Sequence, residues 1–295
     1  MHRRLLPCNA THRPGIRGRW IKNTLRLLRR VPVKGIVFKL LWNKHTQTIG
    51  SFISVVLLWE AAVVVFGIRA YILPRPTEIL VTLFEQSEHL WKAALYTSRS
   101  LIVGYLIAII SGILLALPVA FSKFMQRAVY PLLVVSQLVP KVALAPIFVI
   151  WFGFGLLPKV MIVFLLSFFP VVLNGIVGLR SLDPDIMNLT RSTGAHPVDV
   201  FFRVRLPAAL PTFFAGFKLA SISAAVGAVI GEFIGSDAGL GFIILTANGD
   251  LRTDYSFAAI TVLTILGLIL YYTVELIERL VLPWHVSQRI EVSAG

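Results

Sequence analysis

The chain alternates long apolar stretches with short polar or proline-containing segments. Six of the apolar stretches contain about twenty residues, which is the length an α-helix needs to cross the hydrocarbon core of a bilayer. The pattern predicts six transmembrane helices, at about 49–68, 100–121, 128–150, 158–179, 212–234 and 257–282. We therefore expect an all-α membrane protein with both termini on the same side of the membrane.

The composition excludes a water-soluble globular protein. Apolar residues make up 57% of the 295 positions, charged residues make up 14%, and the mean hydropathy is +0.81. An ordinary soluble domain has about 45–50% apolar and about 25% charged residues. The single cysteine, Cys8, also excludes a disulfide framework and a thiolate-based metal site, and we expect no metal centre.

The net charge of +14 comes mainly from the N-terminal tail. Residues 1–48 contain twelve Lys or Arg and no acid, and the first acidic residue is Glu60. Such a tail is expected to stay in the cytoplasm near anionic lipid headgroups. An organelle transit peptide is the alternative, since transit peptides are also basic and poor in acids. Because the membrane accounts for the charge, we expect no nucleic-acid partner.

The distribution of Lys and Arg between the predicted loops gives the orientation. With the N-terminus inside, the cytoplasmic segments hold 21 of these residues and the outer segments hold six, Lys141 being left out. Without the tail the ratio is nine to six. The positive-inside rule thus predicts cytoplasmic termini. The expected organisation is a basic tail at 1–48, a transmembrane domain at 49–282 and a cytoplasmic tail at 283–295.

A short helix is predicted on the outer face after the first span. The prolines of Leu73-Pro74-Arg75-Pro76 start a turn, and Thr77 is suited to cap a helix beginning at Glu78. Its apolar positions recur at helical spacing, so the helix should lie along the membrane surface. These positions are Ile79, Leu80, Leu83 and Phe84.

Two predicted spans have unusual sequences. The third is interrupted by Val139-Pro140-Lys141 and by Pro146, which places a lysine near the middle of the membrane. The fifth carries a row of small residues that suits close helix packing, with a pore lining as the alternative. The row consists of Gly216, Ala220, Ala224 and Ala228, with Gly227 and Gly231 beside it.

The predicted inner-face loop at 180–211 is too long for a simple connection. Within it, Pro197 suits the first position of a helix, and Pro207 is expected to end that helix. The residues that would share one face are Val198, Phe201, Phe202 and Arg205. The two aromatic rings among them would be displayed in the cytoplasm. Such a face either packs on the bilayer or the bundle, or docks a soluble partner.

One segment of this loop matches a family motif. Gly194, followed after nine residues by Val204-Arg205-Leu206-Pro207, resembles the EAA loop, G-x9-I-x-L-P, of permease subunits of binding-protein-dependent ABC importers. The chain from about 57 to 282 resembles the nitrate/sulfonate/taurine branch of that family. The segments that carry this resemblance are Leu58-Trp59-Glu60, Leu73-Pro74-Arg75-Pro76-Thr77-Glu78-Ile79, Ala143-Leu144-Ala145-Pro146, Trp151-Phe152-Gly153, Phe169-Pro170, Leu182-Asp183-Pro184 and Gly231-Glu232-Phe233-Ile234-Gly235. The chain departs from the pattern at Asn188-Leu189-Thr190, where the motif begins Glu-Ala-Ala, and at Lys141, where many relatives are uncharged.

The resemblance implies a type I ABC importer permease fold with the loop as its coupling element. The permease would form a homodimer in the bacterial plasma (inner) membrane, bind two cytoplasmic ATPases and receive a small solute from an extracytoplasmic binding protein. Since the chain has no GxxxxGK[ST] phosphate loop, the partner ATPase would bind ATP and Mg, and this chain would be neither an enzyme nor a cofactor protein. Carried over to this sequence, the coupling residues are Gly194, Ala195, Val198, Phe201, Phe202, Val204, Arg205, Leu206 and Pro207.

Two rival classes fit the sequence less well. A secondary transporter would place acids at mid-membrane, and Glu60 is the only acid well inside a predicted span. An intramembrane enzyme would need clustered His, Asp, Glu or Cys at membrane depth, and all 6 histidines lie outside the predicted spans.

Polar residues within the predicted spans are candidates for the translocation pathway. They are Lys141, Asn174, Ser221, Ser223 and Glu60. Lys141 would suit an anionic solute such as nitrate or a sulfonate, although it could instead pair with Glu60. The uncharged residues could equally form interhelical hydrogen bonds. The expected solute is small and anionic.

Overall fold

The computed structural model describes residues 44–284, with side chains from Ile49 onward except that of Arg191. All regular structure in this range is helical, which confirms the predicted all-α fold. The helices are α1 (Lys44–Val65), α2 (Pro76–Glu85), α3 (Ser87–Phe121), α4 (Lys123–Gln137), α5 (Ala145–Phe152), α6 (Leu156–Arg180), α7 (Pro184–Ser192), α8 (Pro197–Gly235), α9 (Leu240–Gly249) and α10 (Thr253–Val281). A 3₁₀ turn, Lys141–Leu144, precedes α5. The predicted tails at 1–43 and 285–295 lie outside the described residues.

Packing divides the chain into two units within α1. The first unit ends at Ala61, and the second, which contains α2 to α10, begins at Ala62. In the first unit the large apolar side chains of α1 are exposed, among them Phe52, Val55 and Leu58. A helix that presents apolar side chains to its surroundings is suited to contact with lipid.

The membrane crossings within the described residues are roughly consistent with the prediction of about six. There α3, α6, α8 and α10 are long and apolar enough to cross a bilayer. The segments Lys123–Ser136 and Lys141–Phe152 together have the apolar length of a fifth span but are bent by 88°, which is the geometry of a broken span or a re-entrant loop. The apolar part of α1, Ile49–Val65, is a shorter helix.

The third span is broken where the prolines predicted it. Pro140 has no N–H group and cannot continue the hydrogen-bond ladder of α4, which ends at Gln137. Lys141 therefore opens the 3₁₀ turn at a corner between two helices.

The largest correction concerns Pro207, which does not end a helix. The chain stays helical from Pro197 through Pro207 and Pro211 to Gly235. Just before Pro207 the helix widens into a π turn, Phe201–Arg205, in which the Leu206 N–H donates to the Phe201 carbonyl oxygen. This wider turn shifts the hydrogen-bond pattern at the point where proline lacks a donor, so the helix continues.

The outer helix α2 begins two residues earlier than predicted. Pro76 takes its first position, and the Glu78 carboxylate accepts the Arg75 backbone N–H at 3.0 Å. Its buried residues are Ile79 and Thr82, whereas Leu80 and Phe84 are exposed. The buried hydroxyl of Thr82 donates to Asp254 of α10 at 2.9 Å, so a polar contact holds α2 to the bundle.

The helices α3, α6 and α8 form the centre of the second unit. The small-residue row of α8 lies against α6, and a Cβ atom added at Gly216 or Gly227 would lie within 3 Å of α6 atoms. Ala220, Ala224 and Ala228 are fully buried in the main apolar cluster. The absence of side-chain bulk lets the two backbones approach closely, as small residues do in membrane helices. The close approach is reinforced by Ser167, whose hydroxyl donates to the Ala220 carbonyl at 3.1 Å.

Candidate functional site

The loop predicted to couple this protein to a partner is a helical corner. The helix α7 ends at Ser192, and Gly194 turns the chain with a φ of +68°. Glycine adopts this conformation without the steric cost that a Cβ atom adds. His196 then caps α8, its Nδ1 accepting the Val198 N–H at 3.4 Å, and Pro197 occupies the first helical position as predicted.

The two aromatic rings at this corner contact each other edge-on, with centroids 4.9 Å apart, but they differ in exposure. Phe202 is 60% exposed, whereas Phe201 is half-buried and packs edge-on against Phe121 of α3, with ring centroids 5.7 Å apart. The expectation that both rings are displayed is therefore wrong for Phe201. The difference follows from the contact with α3, because Phe121 covers Phe201 and leaves Phe202 open.

A hollow of about 550 Å³ lies beside Phe202, between α7 and the start of α8. One wall carries Arg205, whose guanidinium lies 5.0 Å from the Phe121 ring centroid and 3.6 Å from the Met187 sulfur. These contacts fix the wall in place. The other predicted coupling residues divide into exposed positions on the corner, Gly194, Ala195 and Val198, and half-buried positions in the first turns of α8, Val204, Leu206 and Pro207.

The candidate pathway residues have separate local contacts. The Lys141 ammonium lies 4.5 Å from the Phe169 ring centroid and is half-buried. Asn174 donates to the Pro170 carbonyl, Ser221 to that of Lys218, and Ser223 to that of Leu219. These three hydrogen bonds stay within one helix each, so the side chains do not bridge helices. Glu60 is half-buried on α1, in the first unit.

Sequence reasoning missed a set of buried charges. Lys159 was assigned to the outer surface, but its side chain is only 1% exposed, and its ammonium donates to Tyr96 and Ser236. Glu232 is fully buried near by. The hydroxyl partners are 63 and 77 positions away from Lys159 in the sequence, so no local pattern could reveal them.

A second missed feature is an ion pair between two crossing helices. The ammonium of Lys218 in α8 lies 2.5 Å from a carboxylate oxygen of Glu278 in α10. Lys218 was counted among the cytoplasmic charges, yet it sits well inside the 39-residue α8. Its partner is 60 positions later, again beyond any local signal.

The described residues offer no obvious site for a metal or a cofactor. Between residues 44 and 284 no three His, Cys, Asp or Glu side chains are grouped so as to hold a metal ion. Buried polar side chains such as Ser167 and Lys159 bond to backbone groups and hydroxyls.

The described residues form an all-helical bundle with several apolar helices long enough to cross a bilayer and a helical corner at Gly194, which is the architecture of a multi-pass membrane protein. A family model described as "Binding-protein-dependent transport system inner membrane component" matches residues 106–283. The chain belongs to this family, which is that of ABC importer permeases, and its relatives place it in the nitrate/sulfonate/taurine-like group. It is accordingly a multi-pass protein of the bacterial inner membrane.

Individual relatives are similar over most of their length. The chain is 35% identical over 238 residues to the formylaminopyrimidine transport permease protein ThiX of Halalkalibacterium halodurans, covering 80% of this chain and 95% of ThiX. It is 29% identical over 235 residues to the putative aliphatic sulfonates transport permease protein SsuC of Bacillus subtilis, covering 79% and 85%. A solved structure of the MetNI methionine ABC transporter in inward facing conformations matches with a TM-score of 0.51 and 18% identity, over 68% of this chain and 97% of that chain. This likeness shows the type I permease fold.

Proposed function

We propose that this protein forms the translocation pathway of an ABC importer for a small solute. An extracytoplasmic binding protein delivers the solute, and a separate ATPase subunit drives transport. The protein itself performs no chemistry, and ATP and Mg are bound by the ATPase. The permease acts as a homodimer, as the resemblance to its family implies.

The observation that carries this proposal is the exposed ring of Phe202 beside a preformed hollow. An exposed aromatic side chain next to a fixed apolar cavity is the arrangement found at protein docking surfaces. The segment falls on the predicted cytoplasmic side, where an ATPase has access. The contacts of Phe201 and Arg205 with Phe121 of α3 connect the surface to the membrane bundle. Force applied by a docked ATPase would therefore reach the spans.

The solute is proposed to be anionic because of Lys141. A half-buried ammonium at the corner of a broken span attracts anions and is screened little by salt. The names of the two relatives point to different solutes, a sulfonate and a formylaminopyrimidine. Position 141 is therefore the residue at which an anionic and a neutral solute should be distinguished.

Replacing Phe202 tests the docking surface. Phe202→Asp should release the ATPase from the purified complex, because a carboxylate cannot enter an apolar contact without a large desolvation cost. We expect the loss to exceed about 2 kcal/mol, or roughly thirtyfold in affinity. The measurement is co-purification of the ATPase encoded beside this protein, together with membrane insertion of the permease.

The matched control is Phe124→Asp. Phe124 lies at the start of α4 on the predicted cytoplasmic side and is 75% exposed, but unlike Phe202 it does not line the hollow. This variant should retain the ATPase. An intact complex with Phe202→Asp, or equal losses in both variants, would show that docking occurs elsewhere.

A further inference from the structure

Four helices meet around two buried charges at the predicted outer end of the bundle. Lys159 lies in the first turn of α6, and Glu232 lies in the last turn of α8. The helices α3 and α9 supply the remaining contacts. Both charged side chains are almost completely removed from solvent, with exposures of 1% and 0%.

The ammonium of Lys159 is bound only by hydroxyl groups and an aromatic ring. It donates to the Tyr96 hydroxyl at 3.0 Å and to the Ser236 hydroxyl at 2.7 Å, and it lies 4.6 Å from the Tyr96 ring centroid. Tyr96 belongs to α3, and Ser236 begins the turn from α8 to α9. Lys159 therefore ties that turn to α3 and α6.

The carboxylate of Glu232 holds the first turn of α9. One oxygen, Oε2, accepts the Gly241 backbone N–H at 2.7 Å, and the neighbouring Leu240 N–H donates to the Thr97 hydroxyl at 2.9 Å. Gly239, with a φ of +111°, allows the turn to lie directly against the carboxylate, where a Cβ atom would clash. A carboxylate at a helix N-terminus is favourable because unpaired N–H groups and the helix dipole meet it there.

The other carboxylate oxygen, Oε1, has no hydrogen-bond partner within the described residues. The Thr97 hydroxyl lies beside the carboxylate, and it also lies 3.1 Å from the Ala93 carbonyl oxygen, which competes for its single proton. The ammonium of Lys159 is close by, since the stem of Lys159 packs against Gly231, yet none of the ion pairs in this part of the chain joins it to Glu232.

Two neighbouring opposite charges that are buried and unpaired are costly. A buried carboxylate oxygen without a donor loses its hydration without compensation, and a buried ammonium is best offset by a carboxylate. A direct ion pair between the Lys159 ammonium and the Glu232 carboxylate would satisfy both groups. Such a pair would also take Lys159 away from Ser236 and so release the turn before α9. The two pairings of Lys159 would therefore have opposite effects on α9.

We propose that Lys159 and Glu232 form a two-state latch on α9. In the described arrangement Lys159 binds Tyr96 and Ser236, and α9 is held against α3. In the released arrangement Lys159 pairs with Glu232, and the turn at Ser236 is free to move. The helix α9 has 10 residues and is too short to cross a bilayer, so it is an element that can shift at one surface without leaving the membrane. The latch is a property of the bundle and does not depend on the solute or the ATPase.

The experiment measures how often α9 opens. In a background lacking the native Cys8, a cysteine replaces Ala247, a buried residue of α9, and its rate of reaction with N-ethylmaleimide is recorded in membranes. Asn248→Cys, at the exposed neighbouring position, serves as the reference for reagent access. The parent rate is compared with the rates in Glu232→Gln, Tyr96→Phe and Lys159→Gln.

The latch predicts opposite changes in the first two variants. Glu232→Gln keeps an acceptor for Gly241 but cannot form the ion pair, so the released arrangement is lost and labelling slows by roughly tenfold. Tyr96→Phe removes an acceptor from the described arrangement, leaves the ring in place and spares the ion pair, so labelling becomes faster.

Lys159→Gln removes the same ion pair by changing the lysine instead of the glutamate. Its amide can still donate to Ser236 but cannot form an ion pair, so labelling should slow. If Glu232→Gln does not fold, this variant provides the test. The competing explanation is that Glu232 only caps α9. In that case, weakening the cap or its neighbours should make labelling faster. Faster or unchanged labelling in Glu232→Gln or in Lys159→Gln would therefore overturn the latch, and so would unchanged or slower labelling in Tyr96→Phe.

Discussion

Three lysines inside the bundle have their charge offset in three different ways. Lys218 has a direct carboxylate partner, Lys159 has two hydroxyls, and Lys141 has an aromatic ring. An unpaired ammonium near the middle of a bilayer costs on the order of 3 kcal/mol on insertion scales. The direct ion pair is the strongest of the three arrangements, and the ring contact is the weakest. Removing each lysine should therefore have a different consequence.

Breaking the ion pair between Lys218 and Glu278 should destabilise the protein. Lys218→Met leaves the Glu278 carboxylate without its partner at 12% exposure, and we expect a loss of about 3 kcal/mol in the free energy of unfolding. The double variant Lys218→Met with Glu278→Gln should recover most of that loss. Denaturation in detergent measures both. Lys92→Met, which breaks an exposed pair with Glu88, is the control and should cost less than about 1 kcal/mol.

Removing Lys141 should alter transport more than stability. Its ammonium contacts the Phe169 ring, so Lys141→Met removes only a contact of about 1 kcal/mol while abolishing the attraction for anions. Uptake of an anionic solute should fall, while the variant inserts and assembles normally. Loss of stability that Glu60→Gln then restores would instead indicate a structural charge pair.

At the scale of elements, the corner between α7 and α8 depends on one backbone conformation. Gly194 has open space around its Cα atom, so a larger side chain would meet no steric obstacle there. Its φ of +68° is the only constraint, and it is a strong one for residues with a Cβ atom. The corner sets the angle at which α8 leaves the predicted cytoplasmic surface.

Gly194→Val should therefore weaken the corner although it fills empty space. The left-handed conformation costs a residue with a side chain about 1–2 kcal/mol, and a β-branched residue more. The fraction of permease that co-purifies with its ATPase should fall. This fraction should fall less in Gly194→Asn, because asparagine tolerates the left-handed conformation. Thr193→Val, at the adjacent exposed position, should have little effect on it. Equal losses in the three variants would remove any special role from Gly194.

Apolar runs predicted the crossing helices well, but they did not predict where the helices end. The first turns of α3, which contain Glu88 and Lys92, are helical although they are too polar for hydrocarbon. Hydropathy indicates which residues can lie in the membrane, whereas the ends of a helix depend on backbone hydrogen bonds. The helix α9 was missed since it is too short for a span. In the candidate site, Pro197 and Gly194 could be interpreted from local chemistry. The burial of Phe201 could not, because it depends on a contact with Phe121, 80 positions earlier.

At the scale of the whole molecule, orientation decides which surface meets which partner. The positive-inside rule predicts cytoplasmic termini, and the corner at Phe202 and the turn after α9 then lie on opposite sides. Each of α1, α3 and α10 also has exposed apolar side chains, as contact with lipid requires. The location of each surface is thus a property of the complete chain.

Labelling of single cysteines should establish the orientation. Each cysteine is introduced into a protein from which Cys8 has been removed. In intact cells, a membrane-impermeant maleimide should react with Asn248→Cys. It should react with Phe202→Cys only after the membrane has been permeabilised. Both positions are exposed in the structure, so a difference reports the side of the membrane and not burial. The reverse pattern would place the corner outside and would remove the basis for ATPase docking there.

The helix α8 is longer than the hydrocarbon layer is thick. Its 39 residues span about 58 Å, against a core of about 30 Å, and they join the exposed ring of Phe202 to the carboxylate of Glu232 without an intervening loop. A rod of that length that tilts by about 5° around one end moves the other end by about 5 Å. This displacement is larger than the length of a hydrogen bond. A slight swing at one membrane surface is therefore large enough, by geometry alone, to rearrange contacts at the opposite surface.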